Sequence, residues 1–319
     1  MTGARAPQAV VFAYHDVGVR CLLTLLAGGV RVPLVVTHRD NPGETIWFAS
    51  VRDTALEYGL EVVYAEDLDA SAMQSRVAQI GPDFVFSFYF RQMLPAALLA
   101  QARHGAFNMH GSLLPKYRGR VPINWAIIRG ERETGATLHE MTPKPDAGRL
   151  VAQTAVPILP DDTAQDVFVK VTVAAEQTLW RALPHLIAGD ATFYPNDLSK
   201  GSYFGGRKPE DGRIDWQRSA RQIHDLVRAV APPYPGATTT VAGTAMVVER
   251  TRMLAHAIAP TAGLAPGSLL VTDKACVAIC GDAEPIEIRR ASIDGKRYDE
   301  AALAAHIGRG AYVLGGPPT

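Results

Sequence analysis

With 319 residues the chain exceeds the usual size of one domain and can bury a sizeable core, so two domains are expected. Its 32 Lys and Arg balance 32 Asp and Glu, which excludes the basic footprint of a protein that grips nucleic-acid phosphates. Three scattered cysteines, Cys21, Cys276 and Cys280, rule out a disulfide framework and a four-thiolate zinc site, and no apolar run nears the roughly 20 residues that cross a bilayer.

The stretch Met1 to Gln8 lacks the charged, apolar and small-residue regions of a secretory leader, so the chain reads as cytoplasmic, with no membrane partner. Val10 to Tyr14 is a β-branched and aromatic run that reads as a strand, followed by a helical pattern through Leu22, Leu23, Leu25 and Leu26. Val32 to Thr37, Leu60 to Tyr64 and Asp83 to Phe88 repeat the strand signal, with helical segments at Phe48 to Tyr58 and Ala72 to Ile80 between them. That alternation predicts a mostly parallel sheet with right-handed crossovers, whose ligands sit beyond the carboxyl ends of the strands. The first strand-to-helix turn holds only Gly18, so the glycine-rich loop of a dinucleotide site is absent.

Gly105 opens a further short strand, Gly135 to Met141 another, and a long helix over Ala164 to Ala188 closes the first domain. Gly201 to Gly212 reads as a linker. Ile223 to Ala231 is helical in pattern, and Pro232-Pro233-Tyr234-Pro235-Gly236 is a strong break. The short strands Ala237 to Val241, Ala245 to Arg250, Gly267 to Val271 and Ala275 to Cys280 predict a small β-barrel of about 110 residues. Cys276 and Cys280 fall on one strand face and read as buried thiols.

Chemistry concentrates in Phe107-Asn108-Met109-His110-Gly111. If the strand runs to His110, period-two geometry puts Asn108 and His110 on one face, an amide donor beside an imidazole. The second stretch, Gly135 to Gly148, ends in a proline-rich loop that presents Asp146; a carboxylate close to His110 would stabilise its imidazolium. Spacing alone also suits structural roles: a hydrogen-bonded histidine at a strand end, a turn aspartate, and a solvated basic rim at Lys116, Arg118 and Arg120.

The run Phe107-Asn-Met-His-Gly-Ser-Leu-Leu-Pro-Lys-Tyr-Arg-Gly-Arg-Val-Pro122, followed by Asp146-Ala147-Gly148, resembles the 10-formyltetrahydrofolate-dependent formyltransferases. The likeness extends through Val10 to Asp16, Thr37 to Glu44, Phe86 to Arg91, Phe204 to Gly212 and Val227 to Val230. It implies an α/β fold with a Rossmann-like, mostly parallel sheet over residues 1–200, and a linker with a smaller OB-like β-barrel over 201–319. It implies a catalytic trio of Asn108, His110 and Asp146. It also implies a folate site lined by Gln92, Met93, Leu94, Arg120, Thr142, Pro143, Lys144, Pro145 and Asp146.

The implied co-substrate is 10-formyltetrahydrofolate, with no metal. Within the family the likeness is strongest to enzymes that formylate the 4-amine of UDP-4-amino-4-deoxy-L-arabinose for lipid A modification and polymyxin resistance. The implied partner is therefore a sugar nucleotide and no nucleic acid, with Arg91, Lys116 and Arg118 either holding its diphosphate or forming a plain rim. A bifunctional relative carries a dehydrogenase domain beyond this stretch, so a homo-oligomer or a separate dehydrogenase is the protein partner to look for. Methionyl-tRNA formylation, another amino-sugar acceptor and hydrolysis of the folate donor are the competing readings. Residues 206–319 carry 14 basic and 12 acidic side chains, a net of +2, which disfavours the tRNA.

Overall fold

A computed structural model describes residues 5–254 and 263–316, so of the stretch Met1 to Gln8 only Arg5 onward is described. The chain divides into two compact units. One runs to Pro122 and takes in Glu133–Pro157 and Val169–Gly205; the other comprises Ile123–Arg132, Ile158–Phe168 and the chain from Gly206 onward.

The first unit begins β1 (Gln8–Ala13), α1 (His15–Ala27), β2 (Arg31–Thr37), α2 (Val51–Glu57), β3 (Val62–Tyr64), α3 (Ala70–Ile80) and β4 (Phe84–Phe88). Ser50 starts α2 by accepting from the Asp53 N–H, and Asp69 starts α3 by accepting from Ala72 N–H. Gly81, at φ 56°, ends α3 in the left-handed conformation. After the short α4 (Ala96–Leu99) come, in chain order, β5 (Ala106–His110), β6 (Arg118–Gly119), α5 (Pro122–Ile128), β7 (Glu133–Glu140), β8 (Leu150–Pro157), α6 (Ala164–Ala188) and β9 (Tyr203–Phe204), of which α5 from Ile123 and α6 up to Phe168 belong to the second unit.

The main sheet of this unit has seven strands in the order β3-β2-β1-β4-β5-β7-β8. The first five run parallel, and β7 and β8 are antiparallel to their neighbours. Strands β1 and β4 are buried at every position, as expected where helices cover both faces. Phe84, Phe86 and Phe107 pack ring against ring, and a second cluster gathers Val10, Phe12, Leu34, Val36, Met73 and Leu98. The strand order reverses between β1 and β4, so the crevice beyond their carboxyl ends is the place for a ligand. Strand β5 ends at that same edge, which delivers His110 to it.

The second unit continues with α7 (Ala220–Val230), β10 (Ala237–Val241), β11 (Thr244–Met253), β12 (Ser268–Val271), β13 (Cys276–Ile279), β14 (Pro285–Ile293), β15 (Lys296–Asp299), α8 (Glu300–Ile307) and β16 (Gly310–Val313). Ser219 and Gln222 form a capping box that starts α7. The strands pair antiparallel in the order β10-β11-β14-β13-β12-β16, with β15 on β14. Two-residue turns close two of its hairpins, Ala242-Gly243 and Asp294-Gly295, all four residues at positive φ. Cys276 and Cys280 are buried and free, and burial pushes each thiol up to about 12. Among the described residues no helix is long and apolar enough to cross a membrane.

Candidate active site

Strands β5 and β7 build the site by their register. Asn108 lies opposite His139 and His110 opposite Thr137, so one sheet face carries two imidazoles and an amide. The His139 Nδ1–H donates to the Glu140 carbonyl at 2.8 Å, which leaves Nε2 of the neutral ring to accept from Asn108 Nδ2 at 3.1 Å. That contact uses one of the two Asn108 amide hydrogens and leaves the other free. Thr137 does a different job. Its hydroxyl donates to the Ser112 carbonyl at 2.6 Å and accepts from Leu114 N–H at 3.2 Å, pinning the loop that leaves β5.

His110 is 7% exposed and its Nε2–H donates to the Tyr117 carbonyl at 2.8 Å. Because a carbonyl only accepts, that bond fixes the tautomer and turns Nδ1 toward Asp146, whose Oδ1 stands 3.6 Å away. The same oxygen is 3.5 Å from His139 Nε2. The other carboxylate oxygen accepts from Gly119 N–H at 2.8 Å. Burial alone would raise the Asp146 carboxyl. The positive charge of His110 and the Gly119 N–H outweigh it and hold the group well below the usual carboxylate range. Asp146 is an anion flanked by two histidines.

The backbone is shaped to permit this. Asp146 sits at φ 49°, a conformation aspartate tolerates better than most residues, and Asn196 Nδ2 clamps it by donating to its carbonyl and that of Gly148. Gly119, at φ 97°, lies where a Cβ would stand 2.1 Å from the Phe204 carbonyl oxygen, so only glycine lets its N–H reach Asp146. At Gly111 the demand is space: a Cβ would stand 2.0 Å from the Tyr89 hydroxyl.

The remaining sequence-derived residues are distributed more loosely. Gln92 and Met93 are exposed on the loop after β4, at the same sheet edge as His110, whereas Leu94 is 9% exposed and packs into the apolar cluster of β1, β2 and α3. Arg120 is exposed and Thr142 hydrogen-bonds the Lys144 carbonyl within the proline-rich loop, with Pro143 and Lys144 exposed and Pro145 partly covered. Among the three cations noted as a possible diphosphate grip, Arg91 is occupied by Glu44 at 2.9 Å and the Tyr14 ring at 4.6 Å. Lys116 is exposed. Arg118 is 8% exposed, and its guanidinium has no hydrogen-bond or carboxylate partner among the described residues. His139, the Tyr117 carbonyl, the Gly119 N–H and Asn196 complete the cluster and were not anticipated as site groups. Among the described residues no group of three or more His, Cys, Asp and Glu is placed to hold a metal ion.

Residues 23–183 match the formyl transferase family, and residues 207–305 match the formyl transferase C-terminal domain. The chain belongs to the formyltransferase family and is a formyl-transferring enzyme. The crystal structure of WlaRD, a sugar 3N-formyltransferase solved with dTDP and 5-N-formyl-THF, is similar over 92% of this chain and 100% of its own, with TM-score 0.68 and 19% identity. HypX from Aquifex aeolicus, in complex with tetrahydrofolic acid, is similar over 95% of this chain with TM-score 0.63 and 18% identity; 48% of HypX is covered, so this chain spans about half its length. A 4-N formyltransferase from Francisella tularensis is similar over 73% of this chain and 91% of its own, with TM-score 0.60 and 20% identity. At these identities the likeness speaks for the fold.

Proposed function

We propose that the protein moves the formyl group of 10-formyltetrahydrofolate to the 4-amine of UDP-4-amino-4-deoxy-L-arabinose, giving UDP-4-formamido-4-deoxy-L-arabinose. The observation that carries the chemistry is the single carboxylate of Asp146, set 3.6 Å from His110 Nδ1 and 3.5 Å from His139 Nε2 in a cluster that also contains Asn108. The neutral amine attacks the formyl carbon, a new C–N bond forms, and negative charge gathers on the former carbonyl oxygen. The free amide hydrogen of Asn108 and a proton on His110 Nδ1 stabilise that oxygen, each donor contributing roughly 3 to 4 kcal/mol. His110 Nδ1 stands beyond hydrogen-bond distance of Asp146, which leaves its proton available to the reacting group. As the intermediate collapses, the bond from carbon to the folate nitrogen breaks and that nitrogen receives the proton lost by the amine. Asp146 holds the imidazolium in place throughout.

The donor rests against Gln92, Met93, the backbone of Leu94, Arg120 and Thr142 to Asp146. The folate and formyl-folate bound by HypX and WlaRD support that reading, and the dTDP of WlaRD and the 4-N activity of the Francisella enzyme support an amino-sugar nucleotide as acceptor. Arg118, buried without an acid, is the cation best suited to the diphosphate, because an unneutralised buried charge is costly until an anion arrives. Residues 201–319 are read as an OB-like barrel, and their net charge of +2 supplies too little attraction for a tRNA. The product serves lipid A modification.

Purified protein mixed with 10-formyltetrahydrofolate is expected to release tetrahydrofolate with UDP-4-amino-4-deoxy-L-arabinose, and not with methionyl-tRNA or without an acceptor. Release with the tRNA would replace the acceptor assignment, and release without any acceptor would make the enzyme a hydrolase.

A further inference from the structure

The second unit contains a cavity of about 360 Å3, within the size range of small-molecule sites. Val227, Ala231 and Pro232 give it an apolar wall, and Arg228, Arg250, Arg290 and Arg297 also line it.

Three features of these arginines are at odds with a cavity that is complete by itself. Arg250 and Arg290 are register partners across β11 and β14, beside a break in the ladder, and like charges opposed on paired strands repel. Arg290 is neutralised by Asp299 at 2.6 Å and Arg297 by Glu249 at 2.7 Å, but Arg250 has neither an acid nor a hydrogen-bond acceptor among the described residues. Arg228 is 3% exposed. Its Nε donates to Asp225 at 2.8 Å and its Nη1 to the Asp162 carbonyl at 2.9 Å, while its Nη2 is buried without an acceptor. The buried Nη2 of Arg228 left in that state calls for an acceptor from outside the chain, and exposed Arg250 adds an unpaired charge to the same lining.

Each acid of the cavity has a partner within the chain. Asp166 accepts from the Thr163 N–H and hydroxyl at the start of α6, and Glu249 is held by Arg297 and the Ser292 hydroxyl. Asp161 lies 3.4 Å from His224 Nε2. That ring donates to the Pro160 carbonyl at 3.0 Å and meets the Thr251 hydroxyl at 2.9 Å, and its burial favours the neutral form.

We propose that this cavity is an oxyanion site that takes a phosphate group, held by Arg228, Arg250 and Arg290. Several oxygens on one small anion satisfy the buried Nη2 and neutralise the opposed pair together, and planar guanidinium forks match that geometry. The phosphate is free in solution or carried on a nucleotide. The assignment is independent of the formyl-transfer reading, since it uses no residue of the Asp146 cluster.

Calorimetric titration of the full chain with inorganic phosphate, with UMP, and with sodium chloride of matched ionic strength tests it. Phosphate is expected to bind saturably at one site, with affinity at least 10-fold weaker in Arg250→Ala. Arg252→Ala, exposed, paired with Glu287 at 2.8 Å and outside the cavity, is expected to bind like wild type. Tighter UMP binding that Arg250→Ala also weakens would assign a nucleotide phosphate, and tighter inorganic phosphate the free ion. No saturable heat beyond the chloride control, equal binding by wild type and Arg250→Ala, or equal losses in both arginine variants would overturn the proposal.

Discussion

The Asp146 cluster of the first unit and the arginine-lined cavity of the second treat charge in opposite ways. Around Asp146 the groups hold one another within the chain: Gly119 and two histidines surround one carboxylate, and Asn108 is oriented by His139 with one amide hydrogen left over. In the cavity Arg290 and Arg297 are paired with acids, whereas Arg228 keeps a buried Nη2 without an acceptor and Arg250 stands without an acid among the described residues. A cluster closed on itself fixes geometry before a ligand arrives, which is what stabilising a developing oxyanion demands. A cluster with donors left over stores its interaction until an anion supplies the missing acceptors.

Substitutions can break that contrast, beginning with the largest effect. Replacing His110 with Ala is expected to lower kcat by about 100- to 10,000-fold, the usual range for a proton-transferring side chain, with the KM for the folate donor little changed. A loss confined to KM would remove His110 from the chemistry. Asn108→Ala is expected to cost roughly 100- to 1,000-fold in kcat, as for a lost oxyanion donor.

His139 sharpens the comparison, because it acts through Asn108 and Asp146. His139→Phe is expected to lower kcat by about 10- to 100-fold through misplacement of its neighbours, and His139→Gln, which can still accept from Asn108, to recover most of the loss. Equal damage by both substitutions would reduce His139 to a packing role.

The smallest expected effect is on stability in acid. Burial pushes His15 down to about 3, with Arg91 adding repulsion, and it also lowers His224. An unfolded histidine takes a proton near pH 6.5, so below that pH the unfolded chain binds protons the folded chain refuses, and stability falls. Each group contributes a slope of at most about 1.4 kcal/mol per pH unit. Asp146 acts in a lower window: its depressed carboxyl adds stability above the unfolded value near 4, and that stability is lost as pH falls below it. Urea titrations of wild type and His15→Asn at pH 7 and pH 5 are expected to show the shallower pH dependence in the variant.

Much of the first unit was legible in the sequence, because buried parallel strands such as Val10–Phe12 and Phe84–Phe88 are continuous apolar runs and the helices between them carry Ser50 and Asp69 as caps. The helix anticipated from Phe48 begins only at Val51, where the Ser50 cap places it, and α7 begins at Ala220 for the same reason. Strand β14 was hidden by Glu287, Arg289 and Arg290, charges that the sheet tolerates by pairing them with Arg252, Glu300 and Asp299. The Asp294-Gly295 turn before β15 is a hairpin signal present in the sequence itself.

In the site, alternation along β5 correctly put Asn108 and His110 on one face. His139 was not legible, because Thr134 to His139 are all buried and no alternation marks which face they serve. Its role appears only once the antiparallel register opposes it to Asn108. The backbone donors and acceptors at Gly119 and Tyr117 leave no side-chain signature at all.

The most direct test of the account is turnover by Asp146→Asn, followed as tetrahydrofolate release with saturating 10-formyltetrahydrofolate and UDP-4-amino-4-deoxy-L-arabinose. Losing the carboxylate charge beside His110 is expected to lower kcat by about 100-fold or more and to change its pH dependence, with the donor KM held within a few-fold. Turnover near that of wild type, with the same pH profile, would contradict the central place given to the Asp146 cluster.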